Sequence, residues 1–185
     1  MDYTGFVRRL ELPPGWAAPT ELSYEDIRAE ALTRGHLRDD VLGINASLDL
    51  IRRTRGGPWP TEPVTEAFNF VDLVWHECEF REGESFSYAV YDTGDQYRGC
   101  AYLYPMGRRT PLTAQLLGFD VDVSWWVTPD AYRGGYYTLL YRALRHWVTT
   151  EFPFSAPYYS NTELPAADDR VRRSPTDRRC CPPDR

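Results

Sequence analysis

Arg133, Gly134 and Gly135 stand between a run that reads as a strand and one that reads as a helix, in "WWVTPDAYRGGYYTLLYRALRHW" (residues 125–147). Glycines at such a turn let backbone amides approach an anion closely, and a helix N-terminus favours one. Phosphate binding is the chemistry this suggests, a plain tight turn the alternative. Upstream, Asp120 and Asp122 alternate with Phe119 and Val121 in "FDVDVSWWV" (119–127), so both carboxylates share one strand face. A carboxylate there can serve as a general base or stay solvated. Tyr158 and Tyr159 end the short apolar run "APYYS" (156–160), where a phenol can act as an acid or pack in the core. His76, Glu77, Cys78 and Glu79 cluster donor atoms, but consecutive helical residues point in different directions, so no metal is expected. His36 and His146 are isolated and read as surface residues. No Ser-His-Asp or Cys-His arrangement is legible, and neither a Walker loop nor a dinucleotide fingerprint occurs.

These residues need elements to position them. Residues 23–34 begin with a Ser-x-x-Asp arrangement and read as a short amphipathic helix, as do residues 40–53, where Val41, Ile44, Leu48 and Ile51 share a face. After the breaker cluster "RGGPWP", Val64, Phe68, Val71, Trp75 and Cys78 form one stripe of a third helix over 62–80. The period then changes to two in "SFSYAVYD" (85–92) and "YRGCAYLY" (97–104), an antiparallel pair around Gly94. Residues 119–127 form the clearest strand. The helix after the glycines buries Tyr136, Leu139, Leu140, Ala143, Leu144, Trp147 and Val148, and its length suits a right-handed crossover to a parallel strand at 156–160. The chain of 185 residues is long enough for one domain without disulfide staples. Cys78 and Cys100 read as buried fillers, while Cys180 and Cys181 lie in a polar tail. A formal charge of −6 excludes the basic face expected of a nucleic-acid protein. With no apolar run near the ~18 residues a membrane span needs and no signal-like opening, a cytoplasmic protein is expected. From residue 165 the sequence is rich in Arg, Asp and Pro and reads as a disordered tail.

The residues "VSWWVTPDAYRGGYYTLLYRAL" resemble the central motif of the GNAT superfamily of acyl-CoA-dependent N-acetyltransferases: a strand ending in Val-x-Pro, a glycine turn and a helix. "YRGCAYLYP" is similar to the preceding strand of that superfamily, and the resemblance spans roughly residues 6–164. It implies an α/β domain over 1–164, with a mixed, mostly antiparallel sheet and flanking helices, lacking the superfamily's usual C-terminal helix and strand pair. A homodimer that supplies the missing wall follows as an expectation. The resemblance further implies acetyl-CoA as acyl donor and a small-molecule or peptide amine as acceptor. Coenzyme contacts would come from Trp126, Val127, Arg133, Gly134, Gly135, Tyr136 and Asn161, with Asp122 as base and Tyr159 as acid. The superfamily's turn pattern, Arg/Gln-x-x-Gly-x-Gly/Ala, is altered here, since Tyr136 and Thr138 stand where small residues are expected. A catalytically silent relative that binds a ligand or partner through the same cleft is therefore the second reading.

Overall fold

Residues 23–34 do not form the expected helix. The computed structural model describes residue 3 and residues 5–166, and over this stretch it shows a hairpin of β1 (Glu21–Tyr24) and β2 (Ile27–Ala31). Glu25 turns the backbone at φ +48, and Ile27 and Ala29 are buried at period two because β2 pairs along β3 (Phe86–Asp92). Tertiary pairing thus overrides a local helix signal. The next expected helix is two, α1 (Leu37–Asn45) and α2 (Leu48–Thr54), broken where the Ser47 hydroxyl donates to the Gly43 carbonyl at 2.6 Å.

Helix α3 (Glu66–Glu82) starts at Thr65, whose hydroxyl accepts from the Phe68 amide at 3.2 Å, and ends at Gly83 with φ +72. Its orientation reverses the expected one. Phe68, Val71 and Trp75 are 63%, 55% and 63% exposed, whereas Asn69, Leu73 and His76 are buried. The reason lies in the neighbours that α3 meets. Asn69 donates to Asp40 at 2.8 Å, and the His76 Nδ1 lies 3.0 Å from the Ser87 hydroxyl. Buried polar groups on α1 and β3 need partners, and leaving them without any costs more than exposing an apolar stripe.

Strands β3 and β4 (Tyr97–Tyr104) form the expected antiparallel pair, and β4 continues to β5 (Val121–Val127). The short helix α4 (Pro129–Arg133) and the long α5 (Tyr136–Thr150) then cross to β6 (Pro157–Tyr159), parallel to β5. Sheet order is β1-β2-β3-β4-β5-β6. On one face Val121, Val123, Trp125 and Val127 meet Leu140, Ala143, Leu144, Trp147 and Val148 of α5. Tyr137, not Tyr136, completes that buried stripe. On the other face Cys100, Tyr102, Tyr104 and Trp126 meet Ile44, Ile51 and Leu73. Cys100 is buried as expected, Cys78 only partly. Among the described residues β6 is the last strand. The tail beyond residue 166, with Cys180 and Cys181, lies outside the described residues. No described helix is long and apolar enough to cross a membrane.

Candidate active site

Strand β5 pairs with β6 only from Val121 to Val123, and the Ser160 amide adds one bond to the Val123 carbonyl at 3.0 Å. Beyond it the two strands part. Trp125 still turns its N–H and C=O toward β6, but the partner there is a carboxamide: the Trp125 amide donates to Asn161 Oδ1 at 3.1 Å, and Asn161 Nδ2 donates to the Trp125 carbonyl at 2.9 Å. Asn161 Nδ2 also donates to the Tyr137 hydroxyl at 2.7 Å, which in turn donates to the Glu163 carbonyl at 2.6 Å. One side group thus fills a place where a strand would otherwise pair. Backbone groups alternate in direction along a strand, so Val127 shares this open edge while Trp126 faces β4. The Trp126 indole donates to the Tyr102 hydroxyl at 3.0 Å, well inside the sheet face.

The turn above this edge is built by capping. The Thr128 hydroxyl accepts from the Ala131 amide at 3.4 Å, Pro129 opens α4, and Gly135 takes φ +84 before α5 begins. The amides of Gly134 and Gly135 are engaged, donating to Asp130 and Tyr132 carbonyls at 2.9 and 3.1 Å. The amides open at the helix start are those of Tyr136, Tyr137 and Thr138, which lie before the first α5 bond from Leu139 to Gly135. The Tyr136 ring packs at the margin of the core and lies against Gly134 of the turn. Its hydroxyl donates to Asp26 and the Arg98 guanidinium lies 4.7 Å above its ring, which hold it there. Arg133 is exposed and ion-paired with Asp130.

Asp120 and Asp122 have separate tasks. Asp120 accepts from the Ser155 and Ala156 amides at 2.7 and 2.9 Å and so fixes the approach to β6. Asp122 is fully buried; its Oδ1 accepts from the Ser160 hydroxyl, and its Oδ2 has no partner among the described residues. Ser160 also accepts from Arg109 at 2.7 Å, and Arg109 reaches the carbonyls of Arg55 and Gly56. A cavity of about 300 Å³ opens here, lined by Arg55, Trp59, Arg109, Ser160 and Thr162 among others. Larger clefts of about 520 and 560 Å³ run beside the N-terminal segment, away from the parted strands.

Asp122 and Tyr159 are not brought together. Asp122 stands opposite Tyr158 in register, whereas Tyr159 stands opposite Val123 and packs edge-on to Tyr141 on the α5 face, 5.3 Å between centroids. Burial pushes the Tyr159 phenol above the usual tyrosine range, which keeps its proton on. Sequence reasoning missed Arg55, Arg109 and Ser160. The first two sit beside breaker clusters, "RGGP" and "GRRTP", where no periodicity points inward. His36, expected at the surface, is largely buried, its Nδ1 accepting from the Thr33 amide at 3.0 Å. His146 is exposed.

No family model matches this sequence and no curated protein matches it either. Solved structures do match in fold. RimL, a ribosomal L7/L12 α-N-protein acetyltransferase in complex with coenzyme A, aligns over 74% of this chain and 71% of its own, at 9% identity and TM-score 0.52. The ribosomal-protein-S5-alanine acetyltransferase from Vibrio fischeri aligns over 70% and 67%, at 10% identity and TM-score 0.52. An acetyltransferase from Salmonella typhimurium that modifies the N-terminal serine of protein L7/L12 aligns over 70% and 68%, at 8% identity and TM-score 0.51. At these identities what is shared is the fold.

Proposed function

Because the protein folds as the GNAT acetyltransferases do, we propose that it is an acyl-CoA-dependent N-acetyltransferase, with acetyl-CoA as donor and an amine as acceptor. The observation that carries this reading is the open edge of β5 at Trp125, where strand pairing stops and one carboxamide supplies both missing bonds. The edge fits the coenzyme because an extended arm carrying amides can take the bonds that Asn161 now makes. Gly135 fits it too: a Cβ there would meet nothing within 4 Å, so the first-turn amides of Tyr136 to Thr138 are approachable by a diphosphate. When bound, acetyl-CoA supplies a thioester carbonyl open to attack by the amine.

The protein's own residues do the rest. Val127 extends the edge; Gly134 and Gly135 shape the turn, and Arg133 adds charge once it leaves Asp130, an exposed pair worth little. Tyr136, its ring held by Asp26 and Arg98, offers its amide. Trp126 supports from behind through Tyr102. The Ser160 hydroxyl, which donates to Asp122, passes the amine's proton to that carboxylate. Tyr159 packs against Tyr141 on the opposite face and keeps its proton there, so the leaving thiolate takes its proton from solvent.

Asn161 filling the edge and Arg133 held by Asp130 also suit the second reading, a silent relative that binds without turnover. Thermal unfolding with acetyl-CoA at millimolar concentration, together with thiol release on adding amines, separates the two. Saturation about 100-fold above Kd would add about 2.7 kcal/mol of stability. Stabilisation without thiol release selects the silent relative, and no stabilisation overturns the proposal.

A further inference from the structure

The cavity beside Asp122 carries more positive charge than its surroundings neutralise. Arg55 is only 8% exposed, yet its side chain's one hydrogen bond among the described residues runs from Nε to the Ser124 hydroxyl at 3.2 Å. Its guanidinium lies over the Tyr102 ring at 4.2 Å and near Trp59 at 5.6 Å, and Arg55 lines the cavity. Arg109 donates to carbonyls and to Ser160, and neither arginine forms an ion pair among the described residues. Burial, and next the charge of Arg55, push the Arg109 guanidinium below the usual arginine range. No carboxylate is among the residues lining the cavity; Asp122 stands behind Ser160. One buried and one partly buried cation thus face one carboxylate in a protein whose formal charge is −6. A buried charge without a partner is costly, and a planar guanidinium is matched by a carboxylate or phosphate.

Spacing says how that anion relates to the amine. Ser124 follows Asp122 by two residues on the same strand face, so the anchor of Arg55 and the carboxylate behind Ser160 lie roughly 7 Å apart along β5. Resting on the acetyltransferase reading, we propose that the acceptor is a small zwitterion of the amino-acid kind, its anionic group held by Arg55 and Arg109 and its amine directed to Ser160. Trp59 also lines the cavity, whose volume of about 300 Å³ suits a small acceptor.

The test is calorimetric titration of the full-length protein, with and without saturating coenzyme A, using β-alanine and phosphoethanolamine and their mates without the anionic group, β-alaninamide and ethanolamine. An anionic member should bind at least about tenfold more tightly than its mate. Preference for β-alanine assigns a carboxylate, preference for phosphoethanolamine a phosphate. Arg55→Met should erase the difference; if it fails to fold, Arg55→Lys, which keeps the charge and loses the fork, should shrink it. Equal binding of the compounds with and without the anionic group, or no anion bound at about 10 mM, overturns the proposal. The two readings fail separately. Acetyl transfer to amines with no preference for the anionic ones removes this inference and leaves the enzyme, whereas anion binding without acetyl-CoA binding does the reverse.

Discussion

Asn161 satisfies a backbone N–H and a backbone carbonyl with one carboxamide. Removing it by Asn161→Ala leaves both groups of Trp125 without their partners, at about 1–3 kcal/mol for a buried polar group left unsatisfied. The unliganded variant should melt below wild type, and acetyl-CoA should then stabilise it by more than it stabilises wild type, because the ligand no longer competes with the carboxamide. A smaller gain in the variant would mean that Asn161 binds the coenzyme directly and does not merely hold its place. His36 carries a second prediction. Burial lowers its pKa from 6.5, so the folded state binds fewer protons than the unfolded state as pH falls. Its contribution is present above pH 6.5 and lost as pH drops through the lowered value, so melting temperature should decline from about pH 7 to 5, and His36→Gln should flatten that decline. An equal slope in both proteins would mean that Glu30, 3.4 Å away, accommodates the charged ring. Asp122 and the glycine turn were visible in the sequence because alternation and a glycine pair are local signals. Arg55 and Arg109 were not, since a buried cation in a loop looks like any exposed one until the protein folds over it.

At the scale of elements, the turn into α5 depends on one left-handed residue. Gly135 has φ +84, whereas Gly134 has φ −78 and a Cβ there would meet its neighbours no closer than 3.4 Å. Gly135→Val should therefore cost about 1–3 kcal/mol from backbone strain alone and also abolish stabilisation by acetyl-CoA. Gly134→Ala should change the melting temperature little. Unchanged stability in Gly135→Val would mean the turn is not held in the left-handed region. Helix α3 gives a sharper contrast. Trp75 is exposed and Leu73 fully buried, so Trp75→Gln should shift stability by no more than about 0.5 kcal/mol, while Leu73→Ala should cost about 2–5. The reverse ranking in a denaturant titration would place the apolar stripe inside. That stripe misled because periodicity counts apolar residues and ignores which polar groups across the interface need partners. The hairpin at 21–31 misled for a related reason: its strands are fixed by β3, some sixty residues later, and nothing local records that pairing.

For the whole molecule, strand order equals sequence order, so each strand after the first meets a neighbour already made. This explains why the strands and the long helix of residues 85–160 were legible, although the short α4 and the burial of Tyr137 in place of Tyr136 were not. Alternation, glycine turn and amphipathic helix follow one another along the chain. The amphipathic faces of β5 and α5 predicted each other. A bulk charge of −6 gave no sign of the cationic cavity, because a sum over the surface hides two residues turned inward. The parallel pairing of β6 has a consequence of its own. It joins three residues to a single neighbour, and Asp120 at one end and Asn161 at the other fasten it with their side groups. Detaching it also breaks the bonds of Ser160 to Asp122 and Arg109 and of Asn161 to Tyr137, but leaves the β3–β4–β5 ladders paired. Deuterium should enter the Trp125 amide through that local detachment, well before the β3 and β4 amides, whose release requires the whole sheet to open. The edge proposed to receive the coenzyme is then one that the resting protein exposes of its own accord, so loading is timed by how often the last strand lets go.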